Sequence, residues 1–583
     1  MSALWGSVAP YWRIVRLLPG VSRPLTLVVV IGVLVNALLP VAGTLATGAL
    51  VGAVPAAVAA GPDSPPARTA MTALAVVGVL FVATRVLGSV RTTLAASLGR
   101  RLDVHLRERV MQALNRPAGI AHLEDPEIRD RIEHALDVSG GRWRAGDTVA
   151  PLSSAASAWL QSAGATLVLA RFSVPLALGW FGMWVVVSHF IRRAFLRGTE
   201  VASNQTKFLR RADYLRQLVM APPAAKEVRI WGLVDWLIDR FAEEKRRVLE
   251  PVWEDRARGH RVQAVTALGL GATYVLVLVA VGLAAVRGEI TLAALATYVG
   301  AAPTVGAIIL PGADTLALAH ATSTVPPLLE LERLSAEAEE REALRGTMAP
   351  AGMPRTGIRL EGVTFRYPGE FRPAGERVPE EGQARGVADA SAASQPPVLQ
   401  ELDLFIPAGR SLAIVGENGA GKTTLVKLIA RFYEPTEGRI LVDDVDLRRM
   451  DLGAWRGRIS TAFQDFARFE FLVRETVGVG DLAHVERPAA VGAALARAGA
   501  TEVASSLPNG LETQLGRDWR GGVEISGGQW QRLALARAFM RQDPLLVVFD
   551  APTAAIDAPT EHALFERFAA AARSGASRGT VTL

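Results

Sequence analysis

Apolar positions come in long unbroken runs up to about residue 330 and in short runs from about residue 356 onward. From Pro24 to Pro62 there is no charged residue. That is more than one membrane crossing needs, so the pattern predicts a first spanning helix over about 24–50, with an outer loop after it. Pro40 should bend that helix. A second span over 69–92 carries Arg85 and Arg91 and runs without a break into a polar helical stretch ending near Ala113. Apolar runs at 148–170, 172–193, 262–286 and 291–313 complete a set of six, each about the length that crosses a bilayer core. Ahead of them, Trp5, Tyr11, Trp12 and Leu17 alternate with Arg13 and Arg16, as in an amphipathic segment on a membrane surface. The apolar stretch that follows is too long for a signal peptide.

The polar stretches between spans fix the orientation. Residues 192–261 carry 16 Lys and Arg, and 94–147 are also rich in Arg, whereas the opposite loops hold Arg68, Arg171 and Arg287. The positive-inside rule puts both long loops and both chain ends in the cytoplasm. Each loop is long and periodic enough to extend the spans as helices, and each holds a short candidate contact helix. One opens at Asp125-Pro126, a good cap and first-turn pair, and the other at Pro223. Residues 331–355 read as a charged helical linker from a transmembrane domain, 1–330, to a second domain, 356–583.

In that second domain Ile358 to Tyr367 alternates like a strand. Residues 370–397 are rich in Ala, Glu, Gly, Pro and Ser and read as a flexible insertion. Strand character resumes at Val398. Ser411–Val415 reads as a buried strand and Thr424–Phe432 as a helix with an apolar face. Between them lies Gly416-Glu417-Asn418-Gly419-Ala420-Gly421-Lys422-Thr423-Thr424, which fits the phosphate-binding loop at every position. The glycines let backbone N–H groups turn onto phosphate oxygens, and the helix N-terminus adds partial positive charge. Lys422 can reach the β- and γ-phosphates, and the Thr423 hydroxyl can bind Mg²⁺. The fold class is thus an all-α six-helix transmembrane domain with long cytoplasmic helical extensions, joined to an α/β P-loop nucleotide-binding domain.

Composition changes little in this picture. The net charge is +6, with Lys207, Lys226, Lys245, Lys422 and Lys427 the only lysines, so the basic charge is nearly all arginine. Abundant Ala, Gly and Arg suit a GC-rich bacterial genome. The arginines are spread, with no aromatic-interleaved basic patch, which argues against nucleic acid as a partner. There is no cysteine, which excludes disulfides and thiol chemistry.

Downstream of the phosphate loop come Gln464 in STAFQDF, then Ile525-Ser526-Gly527-Gly528-Gln529 before the helix WQRLALARAFM, then the apolar strand Leu545–Phe549 closed by Asp550. In this order the motifs resemble the nucleotide-binding domain of the ATP-binding cassette (ABC) family, and with six spans in front the chain resembles an exporter-type half-transporter. The resemblance implies ATP and Mg²⁺ as cofactors, with Tyr367 stacking on adenine and Gln464 and Asp550 joining Thr423 around the metal. It implies that Ser526, Gly527, Gly528 and Gln529 cap the γ-phosphate held by a second subunit, that Asp557 lies at the subunit seam, and that the two loops couple to the cassettes. The partners are then a second half-transporter, the lipid bilayer and a transported substrate, and the location is a bacterial inner membrane with the cassette in the cytoplasm.

Two departures stand out. The family has a catalytic glutamate after the aspartate, and here Asp550 is followed by Ala551. The site on this chain's own phosphate loop is therefore expected to bind ATP and hydrolyse it poorly. Ala551 fits either a substitution that traps the ATP-bound state or the degenerate half of a heterodimer. The family's switch histidine should lie just beyond Thr580–Leu583, and no histidine follows His562, so the C-terminus reads as incomplete. The expected function is ATP-driven export of an apolar or amphipathic substrate by a dimer. A regulatory half-subunit and an importer on the exporter fold are the alternatives.

Overall fold

The computed structural model describes residues 2–124, 145–203, 206–308, 314, 318, 328–337, 339, 346–367, 396–417, 419–550 and 580–583. The chain divides into two compact units, one of Met1–Gln112 with Asp130–Glu332, the other of Ala113–Arg129 with Arg333–Leu583.

The first unit is helical. Its main helices are α1 (Ser2–Val21), α2 (Arg23–Ala60), α3 (Pro65–Asn115), α4 (Val149–Ala170), α5 (Val174–Ser203), α6 (Thr206–Met220), α7 (Ala225–Ile230), α8 (Val234–Val286) and α9 (Leu292–Val305). Helix α2 starts after Ser22, with proline in its first turn, and runs through Pro40 and Pro55 for 38 residues, about 57 Å. The expected first span is therefore only its first two-thirds. Helix α3 is continuous from the apolar run into the polar one, as the pattern predicts. Among the described residues α2, α3, Val174–Ile191 of α5 and Ala264–Val286 of α8 are long and apolar enough to cross a membrane by length and composition.

The remaining two expected spans are marginal for different reasons. Helix α4 carries Ser153, Ser154, Ser157 and Ser162, which dilute its hydropathy. Helix α9 ends after 14 residues, at Val305, and becomes a 3₁₀ turn over Gly306–Ile308; residues 309–313 of this expected span lie outside the described residues. Pro303 sits in the last turn of α9. The carbonyls near this break find partners on neighbouring helices. Trp180 Nε1 donates to Ala302 O (2.8 Å) and Ser162 Oγ to Val305 O (2.6 Å). Irregular backbone at membrane depth is tolerated where protein satisfies it in this way. Trp180, Val277, Ala302 and Val305 form the buried core there, with Tyr274 stacked on Trp180.

The second unit holds two sheets. An antiparallel sheet runs in the order β2 (Leu399–Pro407), β1 (Gly357–Phe365), β3 (Glu437–Val442), β4 (Val445–Asp446). A parallel sheet runs β5 (Ile459–Ala462), β6 (Leu546–Phe549), β7 (Val581–Thr582). Helix α10 (Lys422–Ile429) buries Leu425, Val426, Leu428 and Ile429 in a core that takes Ile358 and Leu360 from one sheet and Leu546 and Val548 from the other. A second core gathers around α11 (Pro488–Ala498) and α12 (Gly527–Ala538), including Val491, Leu495, Trp530 and Leu533.

One expectation fails. Ser411–Val415 is neither a strand nor buried: Leu412 donates to Thr582 O, Ser411 makes a single bridge to Thr582, and Val415 is 90% exposed. Of the two short contact helices, the second is present, as a 3₁₀ turn Pro222–Ala224 leading into α7. The first, after Asp125, and most of the insertion 370–397 lie outside the described residues.

Candidate functional site

The phosphate loop is shaped by two left-handed glycines. Gly419 has φ +84° and Gly421 φ +83°, and Gly421 is the N-cap residue of α10. The left-handed conformation demands glycine at Gly421, and a Cβ there would also lie 2.8 Å from Leu399 Cδ2 and push that side-chain tip aside. Lys422 Nζ donates to the loop carbonyls of Gly416 (2.8 Å) and Glu417 (2.7 Å), which folds its ammonium over the loop. Thr423 Oγ1 donates to Asp550 Oδ2 at 2.8 Å. Asp550 is 8% exposed, follows directly on β6, and donates its N–H to the O of Ala462, the last residue of β5. Helix α10 shares a core with Leu546 and Val548 of β6, and this packing brings together two residues 127 positions apart. A buried carboxylate touching a hydroxyl at the mouth of a phosphate loop is a set of hard oxygen donors, and it fits Mg²⁺.

Gln464 is exposed, two residues beyond β5. Ser526 caps α12: its Oγ accepts from Gln529 N–H (3.3 Å), while Gln529 Oε1 accepts from Ser526 N–H (2.8 Å). Gly527 and Gly528 open the helix behind this capping box. Tyr367 packs edge-on against Phe365 and Tyr433, and its hydroxyl pairs with Thr424 Oγ1 at 2.9 Å. Asn418, Ala551 and Asp557 lie outside the described residues.

A second cluster lies at the far end of α10, and sequence reading did not single it out. Residues 113–129, from the first long loop, belong with this unit, and Ile120 and Ala121 pack on its core. Ile120 N–H bonds to Phe432 O (3.3 Å). Arg456 donates to Ala118 O (2.7 Å), Ala430 O (3.1 Å) and Arg431 O (2.7 Å), and covers the Phe432 ring at 4.7 Å. The Tyr433 hydroxyl donates to the Glu124 carboxylate, and Lys427 pairs with Glu124 at 3.5 Å. Burial and the Glu124 contact push the Tyr433 phenol well above its ordinary pKa. Lys427 also faces the rings of Tyr367 and Tyr433. One short helix therefore carries the phosphate loop at its N-terminus and a segment of the first loop at its C-terminus. The motif marks the first end; nothing local in LGAWRG marks Arg456 as a hub.

Residues 399–554 match the ABC transporter family profile. An ATP-dependent lipid A-core flippase of Chromohalobacter salexigens is 39% identical over 220 residues, 38% of this chain and 33% of that protein. The subtilin transport ATP-binding protein SpaT of Bacillus subtilis is 24% identical over 62% of this chain and 54% of its own length. The match to the flippase thus spans about a third of that relative. A solved bacterial Atm1-family ABC exporter with ATP bound superposes with a TM-score of 0.62 at 21% identity, covering 95% of this chain and 90% of that one. Residues 399–554, with the phosphate loop at their centre, thus carry an ABC transporter family domain that binds ATP, and the chain as a whole has the fold of an ABC exporter, a helical transmembrane part fused to one nucleotide-binding domain.

Proposed function

We propose that the chain is one half of a dimeric ATP-driven exporter in a bacterial inner membrane, with its cassette in the cytoplasm and an amphipathic substrate. The observation that carries this reading is a complete phosphate loop, with Thr423 on Asp550, in a chain whose fold follows an exporter over 95% of its length. In this reading Lys422 leaves the Gly416 and Glu417 carbonyls for the β- and γ-phosphates. The Thr423 hydroxyl, the Asp550 carboxylate and Gln464 hold Mg²⁺, which neutralises phosphate charge when bound. Tyr367 offers its ring to the adenine, and the Ser526 hydroxyl with the N-terminal amides of α12 caps the γ-phosphate held by the other subunit. Closure on ATP would be felt at the opposite end of α10, by residues 118–124, and would shift the membrane helices between access states.

Ala551 can neither accept a proton nor orient water, and losing general-base assistance lowers hydrolysis by roughly 10²–10⁴-fold. It also favours a second reading, in which this chain is the ATP-holding, weakly hydrolytic half of a heterodimer. ATPase activity of the purified chain, beside its Ala551→Glu form, separates the two. Turnover by the glutamate form alone supports a self-sufficient homodimer. Nucleotide binding without turnover in both forms overturns the homodimer and leaves the heterodimer. Absence of ATP binding in either form overturns both readings.

A further inference from the structure

A cation is enclosed among hydroxyls where α2, α3 and α4 meet. Arg91, on α3, is 6% exposed. Its Nη1 donates to Ser153 Oγ (2.5 Å) and its Nη2 to Ser154 Oγ (3.2 Å), both on α4. Its Nε is enclosed and makes no hydrogen bond. The Arg91 stem crosses α2 at Gly32, where a Cβ would come within 3.3 Å of Arg91 Cγ. One layer further along α4, Ser157 Oγ donates to Val33 O (3.0 Å) and accepts from Asn36 Nδ2 (3.3 Å). The glycine on α2 thus makes room for a guanidinium, and three serines on one face of α4 turn hydroxyls toward α2 and α3.

No carboxylate among the described residues lies within ion-pair distance of Arg91; the acid whose field reaches it is Asp314. Two neutral hydroxyls are poor compensation for an ion withdrawn from water, and an ionisable side chain within a span is functional by default. Its depth says what it could meet. Arg91 lies 22 residues after Thr69, where the apolar run begins, a rise of roughly 33 Å, close to the thickness of a hydrocarbon core. Beyond it α3 turns polar, through Arg100, Arg101, Arg107 and Arg109. With Thr69 at one face of the bilayer, Arg91 would stand where acyl chains give way to headgroups, on the side of the long basic loops.

We propose that Arg91, with Ser153 and Ser154, binds the phosphate headgroup of an anionic amphiphile. A guanidinium fork matches phosphate oxygens, the Ser154 hydroxyl can donate to them, and the Ser153 hydroxyl can turn to them from Ala150 O, to which it donates at 2.8 Å. This deepens the cargo class proposed above but rests on it only for the ligand's role, not for its binding. The test reads binding without nucleotide, so its failure and a failure of export are separate results.

The full chain in a neutral detergent is titrated with dioctanoyl phosphatidic acid, dioctanoylglycerol and inorganic phosphate, followed by calorimetry. The expected result is at least tenfold tighter binding of the phosphatidic acid than of the diacylglycerol. Arg91→Gln should abolish this preference, Arg91→Lys should keep part of it, and Asp314→Asn should keep it or strengthen it. Equal binding of the two lipids by wild type, or an unchanged preference in Arg91→Gln, overturns the site. Inorganic phosphate binding as tightly as phosphatidic acid overturns the amphiphile assignment. Loss of the preference in Asp314→Asn overturns it too, since Asp314 would then be organising the site. Should Arg91→Gln fail to fold, Ser153→Ala with Ser154→Ala keeps the cation and strips the cradle, and wild-type affinity in that variant overturns the proposal.

Discussion

Replacing Arg456 with methionine separates the cassette's own cohesion from its hold on the first loop. The guanidinium gives two bonds to the end of the phosphate-loop helix, at Ala430 O and Arg431 O, and one to Ala118 O. A hydrogen bond from a charged group nets about 1.5–3 kcal/mol, and Arg456 is half-buried, so the lower end applies. The two bonds within the cassette then amount to about 3 kcal/mol and the bond to Ala118 to about 1.5 kcal/mol. Methionine keeps most of the stem, so packing on Phe432 largely survives. Hydrogen exchange of the full chain, read peptide by peptide, reports each part separately. Exchange of the Ile120 amide, which is bonded to Phe432 O, should rise about tenfold, since 1.4 kcal/mol is a factor of ten. Peptides over 422–432 should exchange faster still. Lysine in place of Arg456 should fall between, because it keeps the charge and loses the fork. Wild-type exchange at Ile120 alongside a loosened 422–432 would refute the claim that Arg456 ties the loop segment to the helix.

Three further outcomes are expected. Gly421→Ala puts a Cβ against Leu399 at a left-handed φ, at a cost of at least about 1–2 kcal/mol, and should weaken binding of a fluorescent ATP analogue tenfold or more. Burial acts to raise the Asp443 carboxyl, but hydrogen bonds from the Arg355, Gly357 and Thr356 N–H groups and the Thr356 hydroxyl outweigh it and hold the carboxyl below its ordinary pKa. Its stabilisation is therefore present above the unfolded value of about 3.9 and is lost as pH falls through the lower folded value. Acid unfolding should show this loss, and Asp443→Asn should be less stable at neutral pH with a flatter acid profile. Trp180→Phe removes the donor to Ala302 O beside the break in α9. It should cost about 0.6–1.7 kcal/mol, seen as a lower unfolding temperature in detergent, whereas an unchanged midpoint would show that the break needs no such partner.

The sequence by itself determined what depends on neighbours along the chain. Long apolar runs announce α2, α3, α5 and α8 because a bilayer core excludes most charge over a fixed length. Alternation announces β1 and β2, and the glycine spacing announces the phosphate loop because left-handed turns need glycine. Ser526 and Gln529 declare their helix start through a three-residue spacing. What local pattern could not supply was pairing. Ser411–Val415 looks like a strand, but a strand needs a ladder, and among the described residues this segment makes a single bridge, Ser411 to Thr582. Thr423 meets Asp550 only through the packing of α10 on the core it shares with β6. Arg456 becomes a hub only because three carbonyls, one of them more than 300 residues away, converge on it. Arg85 and Arg91 look alike in the sequence, six residues apart. Only the packing distinguishes them, leaving Arg85 over the Phe81 ring and enclosing Arg91 among the serines of α4.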